Sequence, residues 1–594
     1  MKRLIVISVV VVSLTVPFAQ GKIIYVDANV PAGGDGSSWQ KAYKFLQDGL
    51  TSARSAPAGE AVEIRVAQGV YKPDRSAAKP GGTRDRNAHF VLLNGMSLRG
   101  GYAGLGSPDP NARDVKSYQT VLSGDLVGND APVEDPCDLK DEPTRRDNTL
   151  TLVEIRKGTV RLEGCVVTGS AGVALTGIFG LGIQGMEVTI ADCTFSGNSC
   201  FVGDAIFGGA LTAFTGVPLK VVGCSFVGNA TGFNGGAIAA CTVVLDHCVF
   251  SRNWARGDGG AAWLGNAEGD RNLVTDCIFT DNTASHGFGR SPSAGGGALY
   301  LRSSTTYRLA GCVFRGNSAS WGGAIYSDTD AQVVNCIFVG NRATRSGGVC
   351  YEAFGHTMFE NCILCGNRAM EYGGAIAAAG GLMEVVGCTI CDNLSAQGRF
   401  LAVAPYSKGP IPYGMHVAVA DSIVSNGGQE IRNYGPAMTV SHTDIFRGPL
   451  AIYDPNNGVS WGPGNLEMDP CFADPGRWDV NGTPGDTNDD FFVEGDYHLK
   501  SQAGRWDRVS GSWVKDDVTS RCIDAGDPNT PIGQEPFPNG GRVNMGAYGG
   551  TAEASKSYSG DPVCGTIVAG DINGDCRVDF KDLAILASHW LESH

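Results

Sequence analysis

Apolar and polar positions along this chain alternate in short runs, and the runs recur. Between about Val160 and Asn393 a pair of apolar residues two apart, such as Val188 and Ile190 or Leu219 and Val221, precedes a cysteine. The cysteines are Cys165, Cys193, Cys224, Cys248, Cys277, Cys312, Cys336, Cys362 and Cys388, at steps of 24 to 35 residues. Two places after each cysteine stands an apolar residue: Val167, Phe195, Phe226, Phe250, Phe279, Phe314, Phe338, Leu364 or Ile390. Five places after it stands Ser170 in the first copy, then Asn198, Asn229, Asn253, Asn282, Asn317, Asn341, Asn367 and Asn393. Period two is a strand signature. The residues at Cys−5 and Cys−3 have the opposite parity to Cys and Cys+2, so the inward face changes register between them. That predicts a corner between two short strands. A Gly-Gly pair then opens a third apolar run, as in Gly322-Gly323 before Ala324-Ile325-Tyr326, and glycine tolerates the positive φ of a tight corner.

Three short strands and three corners per roughly 28 residues predict one coil of a parallel β-helix, an all-β solenoid. No coil buries its own apolar face, so coils stack about 4.8 Å apart into one core. The asparagine column becomes a ladder of side-chain amides running from coil to coil. The segments FVGNATGFNGGAI and FRGNSASWGGAIY resemble the repeats of bacterial polymorphic outer-membrane proteins, and more broadly the secreted right-handed parallel β-helix repeat family. That resemblance implies the right-handed fold. Known members include adhesins, polysaccharide lyases and glycoside hydrolases, so it leaves the activity open.

The flanks add further segments. Residues 1–21 read as a secretory signal, with Lys2 and Arg3 before the apolar Leu4 to Val16 and small residues at Ala19-Gln20-Gly21; an uncleaved anchor is the competing reading, for which the apolar run is short. Residues 22–159 read as an N-terminal cap and early coils. Trp39, Ala42, Phe45, Leu46, Gly49 and Leu50 follow helical spacing from an N-cap at Ser37 or Ser38, and a solenoid needs such a plug over its terminal coil. Repeats fill 160–465, with Ser422 in a late cysteine slot. Residues 466–555, acidic and rich in glycine and proline, read as the closing cap on the last coil, and 556–562 as a linker. The formal charge of −15 argues against a nucleic-acid partner.

The nine ladder cysteines read as small buried hydrophobes. Cys362-x-x-Cys365 and Cys388-x-x-Cys391 have zinc-ribbon spacing, but period two points Cys365 and Cys391 away from their partners. A Cys365–Cys391 bridge between coils is the better reading.

In residues 563–594, Asp571, Asn573, Asp575, Arg577 (through its carbonyl), Asp579 and Asp582 fall at positions 1, 3, 5, 7, 9 and 12 of a Ca²⁺ loop. With the apolar helix that follows, this resembles a dockerin repeat and implies attachment through a cohesin-like or envelope partner. Two departures weaken that implication: only one copy is present, and Cys576 occupies the turn position where glycine is usual. Cys576 can pair with Cys564 instead. A second acidic run, Asp486 to Asp490, lacks a closing carboxylate, since Tyr497 stands there; it reads as a solvated loop.

Counting five from the first glycine of each pair gives an outward column that includes Trp263, Tyr300, Tyr326 and Tyr351, with Arg302 and Asp328 also outward two residues beyond. Stacked aromatics with polar neighbours suit pyranose rings, and they equally stabilise an exposed sheet face. Glu268, Asp270, His286, Asp328, Glu352 and Arg302 are the candidates for lyase or glycosidase chemistry, although solvated surface charge explains each of them. The sequence thus predicts an exported cell-surface or extracellular scaffold or adhesin that binds polysaccharide or another surface without catalysis. The alternative is a polysaccharide lyase or glycoside hydrolase working along one face.

Overall fold

A computed structural model describes residues 21–557 except 58, 157, 179–186, 202–207, 214–217, 266–271, 286–293, 303–305, 404–415, 436 and 484–488; beyond 557 it describes Val578, Phe580, Leu583 and Leu586. Residues 1–20 of the segment read as a signal, the six residues read as Ca²⁺ ligands, Cys564, Cys576, Glu268, Asp270 and His286 lie outside the described residues.

The chain forms a right-handed parallel β-helix, the hand that parallel crossovers prefer. Its coils pass through four parallel sheets rather than the three expected. In one turn the strands are Leu219–Val222 in sheet 1, Ser225–Val227 in sheet 2, Ala230–Thr231 in sheet 3 and Ile238–Ala240 in sheet 4. Among the described residues the sheets hold 15, 13, 7 and 13 strands. Sheet 3 consists largely of two-residue strands between the asparagine and the Gly-Gly pair, too short for any periodicity to show.

The corners follow from backbone conformation. The residue before each ladder cysteine is left-handed: Gly164, Asp192, Gly223, His247, Asp276, Gly311, Asn335, Asn361 and Gly387 have φ between 50° and 68°. This single αL residue produces the parity change between sheets 1 and 2. Every one is glycine, asparagine, aspartate or histidine, the residues that reach αL at least cost. At the third corner the second glycine answers to packing instead. A Cβ on Gly323 would lie 2.2 Å from the carbonyl oxygen of Gly348 one coil on.

The core is a set of columns. Phe195, Phe226, Phe250, Phe279, Phe314 and Phe338 stack face to face at 4.7–4.9 Å, within 7° of parallel. The ladder cysteines are buried thiols, and burial raises those of Cys336 and Cys362 well above their ordinary value. Each asparagine amide nitrogen donates to the next coil's amide oxygen, as Asn282 Nδ2 to Asn317 Oδ1 at 2.9 Å, and to a carbonyl in the preceding coil, as to Phe250 O at 3.0 Å. The ladder continues to Asn426, where the buried Glu430 carboxylate accepts its terminal N–H groups. Ser422 takes the cysteine role, accepting the N–H of Cys388 through Oγ at 3.0 Å.

The helix over the first coil spans Leu46–Arg54 and inserts Leu46, Leu50 and Ala53 into the core. It starts later than the spacing predicts, and Phe45 rather than Ser37 or Ser38 is its N-cap. Tyr43 is drawn into a parallel bridge, accepting from Asp27 N and donating to Tyr25 O, which keeps the chain extended up to Phe45. Trp39 leaves the helix for a short 3₁₀ turn and packs at 4.9 Å on Tyr25.

Residues 466–555 start on the last coil, where Leu466 bridges Asp444 and Met468 N–H donates to Asp444 Oδ1 at 2.9 Å. They fold back along the outward face of sheet 2, where Phe472, Tyr497, Leu499, Cys522, Ile523, Met545 and Ala547 bury Ile363, Cys365, Cys391 and Ile423. Beneath them Cys365 and Cys391 are joined in a disulfide, Cα atoms 4.7 Å apart, while Cys362 and Cys388 face the core, so the four thiols do not converge on one metal. No helix among the described residues is long and apolar enough to cross a membrane.

Candidate functional site

The outward column of sheet 4 runs in register through Ala239, Trp263, Tyr300, Tyr326, Tyr351 and Ala377. Tyr300 and Tyr326 stack at 4.8 Å and 8°, Tyr326 and Tyr351 at 5.3 Å and 26°. The strip is therefore continuous over the three tyrosines. It is not evenly open: Trp263 and Tyr300 are only 6% and 8% exposed, whereas Tyr326 and Tyr351 are half-buried. The expectation of four exposed rings is corrected to two, because pointing away from the core does not ensure contact with water. Ala239 and Ala377, above and below in the same column, are fully buried as well.

Tyr300 donates its hydroxyl to Asp328 Oδ2 at 2.6 Å. Burial, reinforced by that carboxylate, raises the Tyr300 phenol far above its ordinary value. Burial also pushes the Tyr351 hydroxyl up to about 12. Arg302 is exposed at the edge of the strip. Glu352 is the clearest correction. It lies one residue after Tyr351, so the pleat turns it inward, and it is fully buried in the column with Ser327 and Ala378. Burial, with a smaller contribution from Asp330, pushes its carboxyl up to about 9. It cannot reach a polymer outside the helix.

Two groups missed at the sequence level complete the site. Trp321 stands at the corner before Gly322 and meets Tyr351 edge-on at 4.7 Å. The Arg345 guanidinium covers the Trp321 ring at 4.6 Å and pairs with Glu371 at 3.4 Å. Asp258 occupies an equivalent corner two coils earlier and accepts Gly295 N–H at 2.8 Å. Burial and the neighbouring Asp328 push its carboxyl up to about 6 against the opposing pull of Arg302. The signal for both was positional: each directly precedes a Gly-Gly pair, a place that sequence pattern alone marks only as a turn.

Chemically, the surface offers two accessible tyrosine rings, a tryptophan edge, a fixed guanidinium and a pair of partly buried aspartates. A family model described as right handed beta helix region matches residues 237–390, and one described as disaggregatase related matches residues 477–526. Among solved structures, tailspike protein 3 of bacteriophage CBA120 is 12% identical, covering 84% of this chain and 69% of that chain at a TM-score of 0.38. Pectate lyase Pel9A is also 12% identical, covering 89% of this chain and 97% of that chain at a TM-score of 0.35. No curated protein matches the chain.

Proposed function

We propose that this protein is an exported, extracellular or cell-surface scaffold that binds polysaccharide along sheet 4 without cleaving it. The observation that carries this reading is the ring stack Tyr300–Tyr326–Tyr351 at coil pitch, with Trp321 set against its open end. Sugar rings stack their C–H faces on such aromatics, and the arginine and carboxylates beside them supply hydroxyl partners. The rings are held by their neighbours before any ligand arrives, so little side-chain entropy is lost on binding. Export rests on residues 1–21. Attachment rests on the Ca²⁺ loop at Asp571, Asn573, Asp575, Arg577, Asp579 and Asp582, with a cohesin-like or envelope protein as partner. The test is retention of the mature protein, with calcium, on a panel of neutral and acidic polysaccharides, with products assayed in parallel. Retention that falls at least tenfold in a Tyr326→Ala, Tyr351→Ala double variant, with no new reducing ends or unsaturated uronates, is the expected result. Retention unchanged by the double variant overturns the assignment to sheet 4.

One observation favours a second reading, glycoside hydrolysis. Asp258 accepts Gly295 N–H at 2.8 Å beside Asp328, and burial with that neighbouring carboxylate pushes the Asp258 carboxyl up to about 6, the range of a general acid. On that reading reducing ends accumulate, fastest near pH 6, and are lost in both Asp258→Asn and Asp328→Asn.

A further inference from the structure

A separate cleft lies where sheet 2 meets the end of the C-terminal segment. Its volume is about 610 Å³, within the ~300–1,000 Å³ of small-molecule sites. Ile337 and Ile363, cross-strand partners on the outward face of sheet 2, give it an apolar side. Arg508, Gln534, Tyr548 and Glu553 of the C-terminal segment face them.

Glu553 is backed by a buried histidine. His498 is fully buried, and its Nε2 lies 3.4 Å from Glu553 Oε2. That nitrogen makes no hydrogen bond, so an unsatisfied buried polar atom, rare in a folded protein, is aimed at the carboxylate of the cleft. The other ring nitrogen is held by Asp496. Asp496 pairs with Arg505 at 3.2 Å, and Arg505 with Asp516 at 3.1 Å. A polar chain thus runs from inside the segment to the cleft and ends on Glu553. Tyr548 lies flat on His498, ring centroids 3.6 Å apart and 17° from parallel. Its hydroxyl accepts from Arg508 Nη1 at 3.4 Å. Arg508 is exposed in the turn of the hairpin Arg505–Asp507 with Ser512–Val514, and among the described residues no carboxylate pairs with it. The carboxylate and the guanidinium of the cleft therefore share one support, the His498–Tyr548 stack.

Glu553 and Arg508 are the charged groups among the described lining residues, and their charges cancel. The carboxylate only accepts and the guanidinium only donates, while the exposed amides of Asn335 and Gln534 do both. A ring carrying adjacent hydroxyls matches this set, because each hydroxyl donates to one group and accepts from another. Its C–H face matches Ile337 and Ile363. An added carboxylate would meet Glu553, and an added ammonium would meet Arg508.

We propose that this cleft is a second binding site, for a neutral hexose unit of a glycan, with Glu553 accepting from its hydroxyls and Arg508 donating to them. It lies apart from sheet 4 and stands whether or not that face binds sugar. The test is calorimetry on the full chain, at low and high salt, with the neutral trisaccharides mannotriose, cellotriose and galactotriose beside trimannuronate and a glucosamine trimer. At least one neutral sugar is expected to bind at least tenfold tighter than both charged ones, with little change on adding salt. Its affinity falls at least tenfold in Glu553→Gln and, independently, in Arg508→Gln, each with an unchanged melting temperature. The Tyr326→Ala, Tyr351→Ala double variant leaves it intact. No binding of any of the five sugars, or tightest binding of a charged one, overturns the proposal. Binding that is lost in the tyrosine double variant and kept in both Glu553→Gln and Arg508→Gln belongs to sheet 4; that outcome defeats this proposal while leaving the first reading in place.

Discussion

At the scale of single residues, the repeat works through a few exacting positions. The residue before each ladder cysteine must reach αL, and the chain supplies only residues that do so readily. The asparagine five beyond the cysteine satisfies buried groups in the coils on either side. Asn317 accepts from both the backbone N–H and the amide of Asn282, and donates to Phe279 O and Asn341 Oδ1. Asn317→Ala strands several of these at once, and chemical denaturation is expected to report a loss of about 1–3 kcal/mol or more. Glu352 works in the opposite direction. Its folded carboxyl titrates near 9 against an ordinary 4.5. The raised value means its contribution to stability is full below the unfolded pKa and is lost as pH rises through the folded one. Melting temperature should therefore fall between about pH 5 and pH 9. Glu352→Gln, which is never charged, should flatten that slope and raise the melting temperature at pH 8. An unchanged slope would mean that the carboxyl is solvated after all.

At the scale of elements, the phenylalanine stack of sheet 2 is the continuous rod of the core. Each ring contacts one above and one below, so a gap in the middle cannot be filled by lateral collapse. Phe250→Ala is expected to cost about 3–5 kcal/mol in equilibrium unfolding. Much of this was legible in advance. The alternation, the cysteine column, the phenylalanine column and the asparagine ladder all have fixed offsets in sequence, because one coil's geometry is imposed on the next. Sheet 3 was not legible, since two residues carry no period. The start of the helix was not legible either: helical spacing from Trp39 onward yields to the bridge that Tyr43 makes with the first strand. The aromatic strip was placed correctly on an outward column, but the exposure of its members was decided by what lies over them.

At the scale of the whole molecule, the C-terminal segment starts on the last coil and continues as a flank along sheet 2. The sequence did not mark this: the position after the cysteine, outward on sheet 2, is apolar at Ile337 and Ile363 under the segment, but equally at Val249 and at Ile278, which is exposed. Tyr497, Leu499, Cys522 and Met545 cover the surface at Ile363 and Ile423. Ending the chain at residue 465 should uncover it, giving dye binding of exposed apolar surface, aggregation and a lower melting temperature. Ending it at 557 should leave the β-helix melt unchanged and abolish calcium binding in calorimetry, as should Asp571→Ala with Asp575→Ala in the full chain. Calcium binding that survives both changes would remove the loop from the proposed attachment.

The sequence by itself determined the solenoid: its period, the inward face of each strand, the amide ladder and the Cys365–Cys391 pairing were all readable. Stacking makes these nearest-neighbour properties, so a local offset repeated down the chain is enough to specify them. Tertiary structure alone decided which outward residues meet water, that Asp258 and Trp321 join the tyrosines, and that residues 466–555 return to wall a cleft with Ile337 and Ile363. Those contacts join positions separated by no fixed interval. The physical reason is the same in each case: a covering segment chooses its place by surface complementarity, and no period in the sequence records the surface it will find.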